Sequence, residues 1–302
     1  MTATRRSVAR SFRMSAFQGI WVALVTPFRN GEIDFASLDR LTARLLEDGV
    51  AGLVVCGTTG EAAALSQAEQ LAVLDAVLQR VPAQRVIMGL AGNQLNALLD
   101  LQREIQRRPL AGLLVPAPYY IRPSQAGLEH FFSTLADAAE VPLVLYDIPY
   151  RTGVRIERET LRRIVRHPNI QAIKDCAGDA ETTMALIADG QVQVLAGEDA
   201  QIFNTLCLGG AGAISASAHI RADLYVAMQQ RVAQGDLQGA RQLHYRLLPW
   251  IQAAFAEANP SAIKAALAMQ GLIDDDAPRA PLLPCTAETR QRMQGVLAHL
   301  AS

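Results

Sequence analysis

The chain has 302 residues, half of them hydrophobic, enough for a large buried core and for one barrel of about 250 residues with an appendage. Its 28 basic and 29 acidic residues leave a formal net charge of −1, which excludes the basic footprint of a nucleic-acid binder. No apolar run approaches the roughly 18–20 residues that cross a bilayer. The four cysteines, Cys56, Cys176, Cys207 and Cys285, form no CxxC pair, which argues against a disulfide framework or a zinc site and for reduced thiols in a cytoplasm.

Residues 1–14 hold Arg5, Arg6, Arg10 and Arg13 with no acid and too short an apolar stretch for a secretory signal. They read as a disordered or over-extended N-terminus, with Met14 as an alternative start. Strand candidates then follow at Ile20–Thr26, Gly52–Cys56, Arg85–Gly89, Gly112–Val115, Leu143–Tyr146, Gln171–Lys174, Val192–Ala196 and Ala211–Ser215. Their starts lie roughly 20–33 residues apart, the size of successive βα units. Being continuously apolar, they read as strands buried on both faces, the mark of a parallel sheet.

The intervals read as helices. Asp34 supplies a cap ahead of Leu38, Leu41 and Leu45, and Gly49 ends that helix. Ser66-Gln-Ala-Glu69 is a capping box with Pro82 as the stop, and Glu157–Arg166 ends at His167-Pro168. After the eighth strand only helical patterns remain, at about 221–234, 236–257, 260–271 and 286–300. The expected architecture is α/β: a (β/α)8 TIM barrel over residues 15–234, with a helical region over 235–302 packed on it. An open doubly wound sheet is the competing arrangement.

In such barrels the chemistry sits where strands end. Those positions hold Gly57-Thr58-Thr59-Gly60-Glu61, Tyr119-Tyr120, Tyr146-Asp147 with Tyr150-Arg151, Lys174-Asp175 and Gly197-Glu198-Asp199, so that four of the six tyrosines lie there. Of the 28 cations only Lys174 and Lys264 are lysines, and only Lys174 falls within the barrel. An amine withdrawn from water loses part of the stabilisation of its ammonium form, which brings the ketone-attacking neutral form within reach. The bland reading of Lys174 is a pair with Asp175 or another rim carboxylate; the imine reading requires Asp175 to point elsewhere. Lys264 follows Asn259-Pro260 on a helix outside the barrel and is assigned a helix-face or interface role.

Tyr146 ends the strand next to that of Lys174, as a proton carrier or a packed aromatic. Gly57, Thr58 and Thr59 offer N–H and hydroxyl donors for a carboxylate, or make a tight turn. Arg151 suits two-point recognition of a carboxylate, or lies on the surface. There is no GxGxxG between a strand and a helix, no P-loop and no GxSxG. The five histidines lack metal-ligand spacing and read as surface or packing residues.

Together these loops resemble the pyruvate-dependent class I aldolase family of dihydrodipicolinate synthase and N-acetylneuraminate lyase, from Gly19 to the C-terminal helices. The anchors are Gly57-Thr-Thr-Gly-Glu61, Pro118-Tyr-Tyr120, Arg122-Pro-Ser124, Tyr146-x-x-Pro149-x-Arg151-Thr-Gly153, Ile173-Lys174, Gly197-Glu-Asp199, Gly209 to Ser215 and Asn259-Pro260. The resemblance implies that Lys174 forms a Schiff base with pyruvate and that Thr58 and Thr59 hold the pyruvate carboxylate. Tyr146 shuttles protons, linked through Thr58 to Tyr120, which reaches the active site of a neighbouring subunit. Gly197 and Ile214 shape the pocket. It also implies no cofactor or metal, no nucleic acid or membrane partner, a cytoplasmic enzyme and a homotetramer built as a dimer of dimers.

Within the family, Arg151 favours enzymes that condense pyruvate with aspartate semialdehyde. The alternative is a paralogous aldolase, lyase or dehydratase acting on a 2-keto-3-deoxy acid or another aldehyde. A non-catalytic barrel is expected to have lost Lys174 or Tyr146. The chain departs from the usual pattern at Asp147, where asparagine is common, and in Lys174-Asp-Cys-Ala-Gly178 and Asn259-Pro-Ser-Ala-Ile-Lys264. Asn93 and Tyr119 of the family's lysine-feedback site remain. Gln67, Gln70 and Ala97 replace its two histidines and glutamate, which implies weak or absent inhibition by lysine.

Overall fold

Residues 17–301 are described in this computed structural model; the reading of residues 1–14 as a disordered or over-extended terminus lies outside them. Eight parallel strands close into a barrel: β1 Gly19–Ala23, β2 Gly52–Val55, β3 Val86–Gly89, β4 Gly112–Pro116, β5 Leu143–Asp147, β6 Ile170–Asp175, β7 Gln193–Ala196 and β8 Gly212–Ser215. All eight predicted strands are present. β1 closes the ring by pairing with both β2 and β8. At that seam Gly19 faces Gly212, and a Cβ on Gly212 would overlap the Gly19 carbonyl, so closure demands glycine there. Leu53, Val54 and Val55, like Val86, Ile87 and Met88, are fully buried, as strands between a filled interior and a helical shell must be.

The shell is α1 Phe35–Glu47, α2 Gln67–Leu78, α3 Leu95–Ile105, α4 Gln125–Asp137, α5 Arg158–Ile164, α6 Ala180–Asp189, α7 Ile202–Cys207 and α8 Ala222–Ala233. Local chemistry starts several of these. The Asp34 carboxylate accepts from Ser37 N at 3.1 Å ahead of α1, and Ser66 and Glu69 form the expected capping box on α2. Three helices follow: α9 Leu237–Ala254, α10 Ser261–Met269 and α11 Ala287–Ala301. Among the described residues no helix is long and apolar enough to cross a membrane.

Three features differ from the sequence reading. The first strand ends at Ala23 instead of Thr26, because Thr26 turns away and its hydroxyl donates to Gly60 O at 2.8 Å. A hairpin follows, Phe28–Arg29 against Glu32–Ile33, around Asn30-Gly31, both of positive φ. The third is a correction. Lys264 has neither a helix-face nor an interface position: it is 0% exposed, because α10 is packed inward along Ser261–Leu267.

Register places the site. At the start of the β5–β6 pair Leu143 faces Ile170, but Val144 then faces Ala172, so Gln171 is an extra residue on β6. Beyond that shift Tyr146 faces Lys174 and Asp147 faces Asp175. Unshifted pairing would set Ile173 against Tyr146 and turn the lysine to the opposite face.

Candidate active site

Lys174 is buried on the inner face of β6, with Nζ 4.4 Å from the centroid of the Tyr146 ring. Tyr146 hydrogen-bonds to Thr58, and burial holds its hydroxyl well above the usual phenol range. Asp175 leaves the amine alone: its carboxylate accepts from Ala177 N at 2.9 Å and from the Thr183 hydroxyl at 2.5 Å. Among the described residues Lys174 forms no ion pair with Asp175 or with any other carboxylate, so the bland reading of it is not what the structure has. Gly197, just past β7, permits this packing. A Cβ there would overlap Cys176 Sγ and stand 2.9 Å from Lys174 Cγ.

The Gly57–Gly60 loop leaves β2 and ends at Glu61, whose φ of 55° is left-handed and costs a non-glycine residue about 1 kcal/mol. Buried contacts hold it there. Glu61 Oε1 accepts from Lys264 Nζ at 2.5 Å and Oε2 from Arg279 N at 2.8 Å. The Lys264 ammonium also stands 4.1 Å from the Phe28 ring centroid. Burial pulls the pKa of Lys264 down and the Glu61 charge opposes the shift. Two residues nearer the site, Asn259 Nδ2 donates to Thr59 Oγ1 at 2.9 Å. Glu61, Asn259 and Lys264 were not read as site residues; their signal was the pair of strings Gly57–Glu61 and Asn259–Lys264.

Gly57, Thr58, Tyr146 and Arg151 border one cavity of about 410 Å³ at the C-terminal end of the barrel, which Asn259 and Leu282 also line. Lys174 and Thr59 are buried and do not line the cavity themselves; each touches a residue that does, Lys174 the Tyr146 ring and Thr59 the Asn259 amide. Ile214 is fully buried in β8. Arg151 sits in the short helix Pro149–Thr152, its guanidinium 5.7 Å from the Tyr150 ring centroid. Tyr120 is not drawn into the site: it is 89% exposed at a φ of 73°. Its neighbour Tyr119 is fixed through its N–H to Asn93 Oδ1 at 2.9 Å, while Gln70 donates its amide to Ala62 O and Leu65 O.

On the outer face of the same strand ends, Asp147 is buried and its Oδ1 has no hydrogen-bond partner among the described residues. Burial, with the charge of Asp175 beside it, raises its pKa from 3.8 to about 7. The folded chain therefore keeps this proton while the unfolded chain releases it, so the contribution of Asp147 is favourable below the unfolded pKa and is lost as pH rises towards 7. The full loss is roughly 4 kcal/mol. Asp147→Asn, the amide counterpart of the protonated acid, is expected to gain on the parent as pH is raised from 4 to 8 in urea unfolding. Parallel stability–pH curves for the two proteins would contradict this.

A buried amine, a phenol against it, a hydroxyl-rich turn and an arginine at the rim form a set suited to imine chemistry on a keto acid. Comparison with known proteins agrees. The sequence model of the Dihydrodipicolinate synthetase family matches residues 16–300. A 4-hydroxy-tetrahydrodipicolinate synthase of Trichlorobacter lovleyi is 38% identical over 288 residues, covering 93% of this chain and 98% of the relative. One from Kineococcus radiotolerans is 41% identical over 278 residues, covering 90% of this chain and 89% of the relative. The crystal structure of a dihydrodipicolinate synthase from Acinetobacter baumannii in complex with pyruvate superimposes with a TM-score of 0.89 at 33% identity, covering 94% of this chain and 99% of that one. With the barrel, the lysine and these likenesses in agreement, the chain belongs to the dihydrodipicolinate synthetase family.

Proposed function

We propose that this chain is a Schiff-base lyase that condenses pyruvate with L-aspartate 4-semialdehyde to 4-hydroxy-tetrahydrodipicolinate. The observation that carries the proposal is the register that sets Lys174 against Tyr146, whose hydroxyl in turn bonds to Thr58. Lys174 Nζ adds to C2 of pyruvate and, with a proton passed to the carbinol oxygen, water leaves, giving an iminium. This cation is the electron sink, so loss of a C3 proton gives an enamine without a further cofactor. C3 attacks the aldehyde carbon of the second substrate. The amino group of that substrate then displaces Lys174 from C2, which closes the ring and frees the amine.

In this reading Thr58 and Thr59 hold the pyruvate carboxylate, within the turn that Asn259 and Glu61 fix. Tyr146 carries protons to and from the adduct, and Thr58 orients its hydroxyl. Gly197 and Ile214 bound the pyruvate methyl side. Arg151, whose guanidinium has no carboxylate partner among the described residues, takes the carboxylate of the semialdehyde.

Tyr120 serves the site of a neighbouring copy. Tyr120 and Ile121, 89% and 56% exposed beside Tyr119, form an apolar patch at the barrel mouth that association would cover. We assign a homotetramer built as a dimer of dimers, and the cytoplasm, where the unpaired Cys56, Cys176 and Cys285 stay reduced.

The test is turnover of pyruvate with L-aspartate 4-semialdehyde, set against a panel of 2-keto-3-deoxy acids. The reading expects kcat/KM in the 10⁴–10⁶ M⁻¹s⁻¹ range, as an order of magnitude, for the semialdehyde alone. Cleavage of a keto-deoxy acid with no turnover of the semialdehyde would assign the site to another member of the family.

A further inference from the structure

Arg151 and Glu198 bring opposite charges to the two sides of Lys174, one past the end of β5 and one past the end of β7, with β6 between them. Two arginines just beyond Arg151 are matched: Arg155 pairs with Asp179 and Arg158 with Glu181. Among the described residues no cation pairs with Glu198 and no acid pairs with Arg151. Tyr150 joins the two. The Arg151 guanidinium lies against its ring and its hydroxyl donates to Glu198 Oε1 at 2.9 Å. The Cys176 thiol, two residues past Lys174, hydrogen-bonds to the same carboxylate. Both donors are neutral, so they orient Glu198 and leave its charge and part of its lone-pair capacity unused.

We propose that Glu198 is a specificity-determining residue, held by Tyr150 and Cys176 to receive the ammonium group of an amino-acid aldehyde whose carboxylate Arg151 takes. The inference rests on the function proposed above and adds the means by which a zwitterionic aldehyde is told from its competitors. A sugar acid offers hydroxyls, and a simple semialdehyde offers nothing, where Glu198 has a full charge to satisfy. Strand order supports the fit. An aldehyde joined to the enamine on Lys174 lies between β5 and β7, so its α-carbon can turn the carboxylate to one side and the ammonium to the other. Tyr150 sets the spacing of the two charges.

The test compares L-aspartate 4-semialdehyde with succinate semialdehyde, which lacks only the amine and whose adduct therefore leaves Lys174 by hydrolysis of the iminium instead of ring closure, by pyruvate consumption in the full-length protein. Glu198→Gln is expected to lower the ratio of kcat/KM for the amino aldehyde over the plain aldehyde by about tenfold, through KM. Glu198→Asp, which keeps the charge, is expected to retain most of the ratio, and Tyr150→Phe to lower it by about threefold. Borohydride trapping of pyruvate on Lys174 in each variant reports that the site is still assembled. An unchanged ratio in a Glu198→Gln protein that traps pyruvate overturns the proposal, as does an equal loss on both aldehydes. A parent protein that consumes pyruvate with neither aldehyde refutes the proposed function itself, and the role of Glu198 with it.

Discussion

Replacing Lys174 with alanine is expected to lower kcat by about 10⁴-fold or more, with folding intact. No other amine on the barrel interior can take over, because the chain has only one other lysine and Glu61 and the Phe28 ring enclose it. Lys174→Arg should fail equally, since a guanidinium keeps its charge and does not form the imine. Tyr146→Phe removes only the proton carrier, so a loss of about 10²–10⁴-fold is expected, with the pyruvate adduct still formed, though slowly. Steady-state rates of the three proteins check this order. A Lys174→Arg protein with more than a few per cent of parent turnover would overturn the imine assignment.

The second large effect lies behind the turn proposed to hold pyruvate. Lys264→Met leaves the Glu61 carboxylate, whose side chain is 1% exposed, without its cation and is expected to cost about 3–5 kcal/mol of stability. Glu61 is two residues from Thr59, so the KM for pyruvate should rise in the same protein. Replacing both partners, Glu61→Gln with Lys264→Met, is expected to recover much of the stability, because no buried charge then remains unpaired. Urea unfolding and pyruvate saturation read the two effects separately. If Lys264→Met unfolds at the parent's urea midpoint, the ion pair does not support the loop.

The barrel was legible because its physics is local and repeated. Each strand is a short apolar run, and helices start at Asp34 and Ser66, where side-chain oxygens meet open N–H groups. Strand ends then gave Lys174, Tyr146, Arg151 and the Gly57–Glu61 turn. Asp175 was correctly expected to look away from the amine, towards Ala177 N and Thr183. The Asn30-Gly31 hairpin carried a readable signal that was passed over.

Other features had no local signal. The extra residue at Gln171, which decides whether Lys174 or Ile173 faces Tyr146, is a property of two paired strands. Lys264 looked like a surface lysine because its partner, Glu61, is 203 residues away. A helix face can be read from spacing, but the charge waiting behind it cannot. The same holds for Glu198, whose meaning depends on Tyr150 and Cys176 arriving from two other strands.

The most direct measurement is borohydride reduction of the full-length protein in the presence of pyruvate, followed by intact mass and peptide mapping. With only two lysines in the chain, the map has few places to look. One reduced pyruvate adduct per chain is expected, on the peptide containing Lys174, absent when borohydride or pyruvate is omitted. An adduct on Lys264, or none at all from a folded protein, would contradict it.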